Sequence, residues 1–152
     1  MELRRVLVGA LCVATAMLTA CASEGPVTAG NDSRPCVTNF TVKGSMVSGQ
    51  TFSSFEERPG TSTGVVFERV VRSLTTKGYN VTSANKELGI VSALNPIIMG
   101  KGSRATLNVA VAESQNRVRV DTTFAIPGLT GTSTPAVRDE FCVILRDAFA
   151  ST

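Results

Sequence analysis

The sequence predicts an α+β fold: a two-layer sandwich in which a mainly antiparallel sheet carries two helices on one face, in the order β-α-β-β-β-β-α. Three observations carry that expectation. Residues 63–77 hold an apolar stripe at helical spacing. Residues 105–125 contain two segments that alternate apolar and polar with period two, the mark of strands with one buried and one wet face. Near the C-terminus, Thr134-Pro135 opens a second helical pattern.

From Cys36 onward, Val37, Phe40, Val42, Met46, Val47, Phe52 and Phe55 are spaced as one or two strands interrupted at Gly44 and Gly49, and Arg58-Pro59-Gly60 ends them with a turn. In the first helix Val66, Phe67, Val70, Val71 and Leu74 form the stripe, and Gly78 follows where a left-handed C-terminal cap is expected. The sheet is then expected from residues 79–83, a turn at Asn85-Lys86-Glu87, residues 88–94, residues 105–112, a turn at Ser114-Gln115-Asn116, and residues 117–125. The second helix has Thr134 as expected N-cap and Pro135 at the first helical position, where a missing N–H costs nothing. Val137, Phe141, Ile144, Leu145, Ala148 and Phe149 supply its buried side. No internal repeat or coiled-coil pattern is visible, and residues 36–152 read as one domain of ordinary size.

Ahead of this domain the composition changes twice. Residues 1–20 begin with Arg4 and Arg5, continue as an apolar run and end in small residues, the pattern of an export signal too short for a stable membrane span. Residues 21–35 are rich in Ser, Gly, Pro, Asn and Asp without apolar period and read as a flexible tether. Leu18-Thr19-Ala20-Cys21 resembles the lipobox of bacterial lipoprotein precursors. That resemblance implies that Cys21 is acylated and becomes the first residue of the mature protein, so that its partner is a membrane. Multiple acyl chains would anchor it firmly where one binds only marginally. Ala22 rather than Asp after the cysteine implies, by the same resemblance, the periplasmic face of the outer membrane, with the inner membrane or soluble periplasm as alternatives. Ala20-Cys21-Ala22 also satisfies an ordinary signal peptidase site, which leaves an unlipidated reading open.

The run from Lys77-Gly78-Tyr79 through Gly89-Ile90-Val91-Ser92-Ala93 resembles a segment of small bacterial lipoproteins. The expected architecture is also similar to helix-grip domains in lipoproteins of the outer-membrane assembly machinery. Neither likeness carries catalytic residues with it.

The chain of 152 residues has a formal charge of +3, and Arg4 and Arg5 of the leader account for part of it. Such a small excess gives no case for a nucleic-acid partner, which calls for a clustered basic face. With Cys12 in the leader and Cys21 at the lipobox, Cys36 and Cys142 are the remaining thiols. An oxidising periplasm would join them in a disulfide, with two buried free cysteines as the alternative.

The chain has no histidine, so Ser-His-Asp, Cys-His and His-based zinc sites are excluded, and no metal site, cofactor or catalytic residue is assigned. A Ser-Lys dyad would pair Lys43 with Ser45 or Lys101 with Ser103 and would need a desolvated lysine. Glu56 and Glu57 are neighbours, so on a strand they face opposite sides, and they read as a solvated pair near a turn. Gly100-Lys101-Gly102-Ser103 lacks the spacing of a phosphate-binding loop. Asn31, Asn39 and Asn80 begin Asn-x-Ser/Thr sequons, incidental in a bacterial lipoprotein.

Two surfaces stand out as candidate interaction sites. Ile97, Ile98 and Met99 are adjacent apolar residues between Pro96 and Gly100, either a partner contact or a strand extension tucked under the sheet edge. Arg117 and Arg119 share the outward face of one strand, with Asp121 next. They suit either anionic groups or a plain solubilising role. The sequence therefore predicts a non-enzymatic interaction or accessory module of the cell envelope that meets an envelope protein. The alternative is a small-ligand binder whose groove between helices and sheet is lined by Phe67, Leu74, Phe124 and Phe141.

Overall fold

Strand pairing begins with a hairpin in the N-terminal part of the domain. The computed structural model describes residues 31–95 and 105–150. Its elements are α1 (Pro35–Thr38), β1 (Thr41–Ser45), β2 (Gly49–Pro59), α2 (Thr63–Thr76), β3 (Asn80–Asn85), β4 (Ile90–Asn95), β5 (Ala105–Ser114), β6 (Arg117–Ile126) and α3 (Thr134–Ala148). The six strands form one antiparallel sheet in the order β1-β2-β6-β5-β4-β3. The fold class is α+β, with three helices among the described residues where two were expected.

The extra helix, α1, occupies the start of what read as a strand. Pro35 presets the backbone for a first helical turn, and the Arg34 carbonyl accepts from the N–H groups of Val37 and Thr38. Cys36 and Val37 are both buried, adjacent residues that no period-two pattern buries together. Helix α1 thus opens at Pro35, one residue before the expected domain start. Two strands come after it, parted by a turn over Met46, Val47 and Ser48.

Burial alternates along the central strands. Phe52 on β2, Leu107, Val109 and Val111 on β5, and Val118, Val120, Phe124 and Ile126 on β6 are buried. Their neighbours, such as Asn108, Ala110 and Arg117, are exposed. Register brings these positions into rows: Phe52 pairs with Phe124, and Phe124 pairs with Leu107. Cross-strand partners of this kind interact face to face. Val66, Phe67, Val70 and Leu74 of α2 join the same core, as do Val137, Phe141, Ile144, Leu145 and Ala148 of α3. Val71, expected in the α2 stripe, is only half-buried at its margin.

Two helix ends decide local geometry. At the end of α2, Gly78 has φ +81, the Gly78 N–H donates to the Thr75 carbonyl at 3.1 Å, and the Tyr79 N–H donates to the Leu74 carbonyl at 3.0 Å. This is the glycine-dependent Schellman cap the sequence announced. At α3 the N-cap is Ser133, one residue before the expected Thr134, so Pro135 lies within the first turn.

Cys36 and Cys142 are joined, with Sγ atoms 2.05 Å and Cα atoms 5.1 Å apart. The bond ties α1 to α3 across 106 residues of sequence. Phe40 fills the space beside it, its ring 6.1 Å from that of Phe52 and 5.9 Å from that of Phe141.

Candidate functional site

The Schellman cap of α2 turns the chain sharply and delivers Tyr79 into a cavity of about 350 Å3 at one end of the sheet. Phe124 of β6 and Val137 and Phe141 of α3 form its apolar wall, while Lys77, Tyr79, Asn95 and Glu140 supply polar groups. Lys77 Nζ lies 3.3 Å from Glu140 Oε1. The Tyr79 phenol is held far above the ordinary tyrosine range, first by burial, then by the negative charge of Glu140 and its hydrogen bond to that carboxylate. Tyr79 is therefore a neutral donor at physiological pH, beside a lysine–glutamate pair. Such a cavity offers hydrogen bonds and apolar contact to a small amphipathic molecule.

Two of the four residues expected to line such a groove do so, Phe124 and Phe141. Leu74 is fully buried in the core, and Phe67 borders a separate depression beside Leu88, Gly89 and Val111. The polar members were missed, because Tyr79 and Glu140 meet only after α3 packs on α2. Lys77-Gly78-Tyr79 held the one available signal: a C-cap glycine followed by an aromatic residue is directed back over the helix end.

On the opposite, open face of the sheet, Arg119 is the centre of a charge cluster. Its Nη2 lies 2.7 Å from Asp121 Oδ1 and its Nη1 lies 3.0 Å from Glu57 Oε1, while its Cζ stands 3.7 Å over the Phe55 ring. Arg117 Nε is 3.5 Å from Glu57 Oε2. The Arg119 guanidinium is pushed above its ordinary range, chiefly by its hydrogen bonds with Asp121. Arg117, Arg119 and Asp121 share one face as expected. Glu57 and Phe55 complete the cluster from β2, where Glu57 is the register partner of Arg119. Two carboxylates thus balance two guanidinium groups, and the Arg119 donors are largely committed within the protein.

Glu56 departs from its expected solvated state. It alternates to the inner face, is 7% exposed and pairs with Arg58 at 2.7 Å. Period-two alternation along β2 separates it from Glu57 as anticipated, but the strand runs further than the turn-proximal reading assumed.

Lys43 is exposed and Ser45 Oγ bonds Ser48 Oγ at 2.8 Å, so the desolvated lysine that a Ser-Lys dyad requires is not formed there. Cys21, Lys101 and Ser103 lie outside the described residues, as do Ile97, Ile98 and Met99. The flanking residues Asn95 and Ala105 are paired with each other at the cavity end of the sheet. Among the described residues no group of three or more His, Cys, Asp or Glu is placed to hold a metal ion, and no helix is long and apolar enough to cross a membrane. No protein-family model matches the chain, and no curated protein is significantly similar to it.

Proposed function

We propose that this chain is a lipid-anchored protein on the periplasmic face of the bacterial outer membrane, acting as a non-enzymatic interaction module of the cell envelope. The observation that carries the reading is Leu18-Thr19-Ala20-Cys21 at the end of a short apolar run preceded by two arginines. A sequence without histidine and a disulfide joining the first and last helices suit an exported binding domain better than an enzyme. The contact with an envelope protein would use the open sheet face around Arg119 and Phe55 and the apolar residues Ile97, Ile98 and Met99. Mass spectrometry of the mature N-terminus tests the anchor: an acylated Cys21 is expected, and a free amine at Ser23 with Cys21 absent overturns it. Cross-linking in native membranes tests the partner, and replacement of Arg117 and Arg119 by Gln is expected to weaken the cross-link.

A second reading is favoured by the cavity beside Tyr79. A small amphipathic ligand would lie against Phe124 and Phe141 and hydrogen-bond with the polar groups that Lys77, Asn95 and Glu140 present beside Tyr79. Native mass spectrometry of the purified protein would then show a bound small molecule that Ala136→Trp, at the cavity wall, displaces. An unchanged mass in both proteins rules this reading out.

A further inference from the structure

Two loops meet at the end of the sheet where β2 starts and β6 finishes. β1 and β2 are joined by Met46, Val47 and Ser48, with Gly44 and Gly49 at φ +87 and +103 on either side. The segment after β6 is drawn against this turn. The Leu129 N–H donates to the Met46 carbonyl at 2.7 Å, and a Cβ on Gly128 would collide with the Val47 carbonyl. The loops form one hydrogen-bonded tip.

Its most exposed side chains are apolar. Leu129 is 87% exposed, Val47 76% and Met46 62%, so half of the six large apolar side chains exposed among the described residues gather here. Leu129 also has φ +63, a left-handed conformation that Gly or Asn adopts more readily. Residues kept in sparsely populated backbone conformations cluster where function requires them. This leucine buries almost nothing inside the protein.

Charge and size limit what can cover the tip. Residues 122–137 carry no charge, and residues 39–55 carry only Lys43. Three protruding side chains fall well short of the ~800 Å2 that a specific protein partner covers on each side. A bilayer interface requires neither paired charges nor shape complementarity. It takes alkyl and thioether groups out of water and meets flanking hydroxyls, here Ser45 and Ser48, at the headgroup layer. At up to about 3.5 Å per residue, the 21–34 stretch exceeds the length of the 11-residue strand β2, so a lipid on Cys21 and this tip can reach one membrane together.

We propose that the tip formed by Met46, Val47 and Leu129 inserts into the interfacial layer of a phospholipid bilayer and orients the domain on it. The inference rests on the lipid-anchored reading of Cys21: the acyl chains hold the protein at the surface, and the tip decides which end faces it.

The chain contains no tryptophan, so a single introduced Trp is a clean reporter. Val47→Trp and Leu129→Trp are compared with Leu88→Trp, an exposed site in the β3–β4 turn at the other end of the sheet. Each is made in the full chain, purified from membranes and reconstituted into phosphatidylethanolamine–phosphatidylglycerol vesicles with or without brominated acyl chains. Circular dichroism and vesicle flotation are measured on the same samples. The two tip reporters are expected to show blue-shifted emission quenched several-fold by the brominated lipid, with Leu88→Trp unquenched. Folded, floating protein whose tip reporters behave like Leu88→Trp overturns the proposal while leaving the anchor intact. Protein without acyl mass on Cys21 that still shows tip quenching overturns the anchor and supports the tip. Tip emission that shifts to the blue only when envelope proteins are added, and that the brominated lipid leaves unquenched, overturns the proposal in favour of a protein partner.

Discussion

Ser73 on α2 donates a hydrogen bond of 2.9 Å to Asp147 Oδ2 on α3. Ser73 is 7% exposed within an otherwise apolar stripe, and its hydroxyl joins the two helices that cover the core. Ser73→Ala removes the donor and leaves Asp147 with Arg146, 2.9 Å away. The expected loss is about 1.5–3 kcal/mol, the usual net worth of a hydrogen bond to a charged group. Urea unfolding checks it, and an unchanged midpoint would mean that packing alone sets the helix contact.

The disulfide predicts a redox-dependent stability. A loop of ~100 residues corresponds to about 4.7 kcal/mol in the chain-entropy model, and removing a native bond from a small disulfide-linked domain commonly costs about 2–5 kcal/mol. Adding reductant should lower the free energy of urea unfolding by that range, and Cys142→Ala should unfold at the same midpoint with or without reductant. Free thiols at Cys36 and Cys142 in denatured, unreduced protein, located by alkylation and peptide mass, would contradict the bond.

Two glycines should respond very differently to alanine. Gly89 has φ +67, and an added Cβ would run into the Val111 carbonyl, while Gly131 has open space around it. Gly89→Ala is expected to cost more than ~2 kcal/mol through strain and steric displacement, whereas Gly131→Ala should stay within about 0.5 kcal/mol. Thermal unfolding of the pair provides the comparison.

Tyr79 predicts alkaline sensitivity. Its pKa is raised in the folded protein, so folding favours the protonated phenol. The unfolded chain releases that proton near pH 10. This contribution to stability is therefore complete below about pH 10 and is lost as pH rises toward the folded value. Since the chain has one tyrosine, the ultraviolet phenolate band reports this group alone. The band should appear together with unfolding rather than before it, and Tyr79→Phe should lose its share of the alkaline slope.

Much of the architecture was legible in local pattern. The α2 stripe ends at Gly78 because only a residue tolerant of positive φ closes a Schellman cap cheaply. Alternation along β5 and β6 declares itself because one face meets the core and the other meets water. Helix α1 was hidden, since four residues leave no periodicity to read and a proline with two adjacent buried residues resembles an irregular strand entry. The candidate sites were less visible. Arg119 and Asp121 share a strand face by simple spacing, but Glu57 reaches them only because β2 lies next to β6, a pairing across 62 residues of sequence.

By itself the sequence determined the α+β class, the boundaries of α2 and the start of α3 within a residue or two, and which positions of β5 and β6 face inward, because these follow from periods of 3.6 and two. Only the tertiary structure decided the strand order, the partners of Tyr79 and Arg119, the burial of Glu56, and the meeting of Met46 with Leu129. Those depend on which distant segments become neighbours, and that choice is made by burying the whole core at once rather than by any local run of residues.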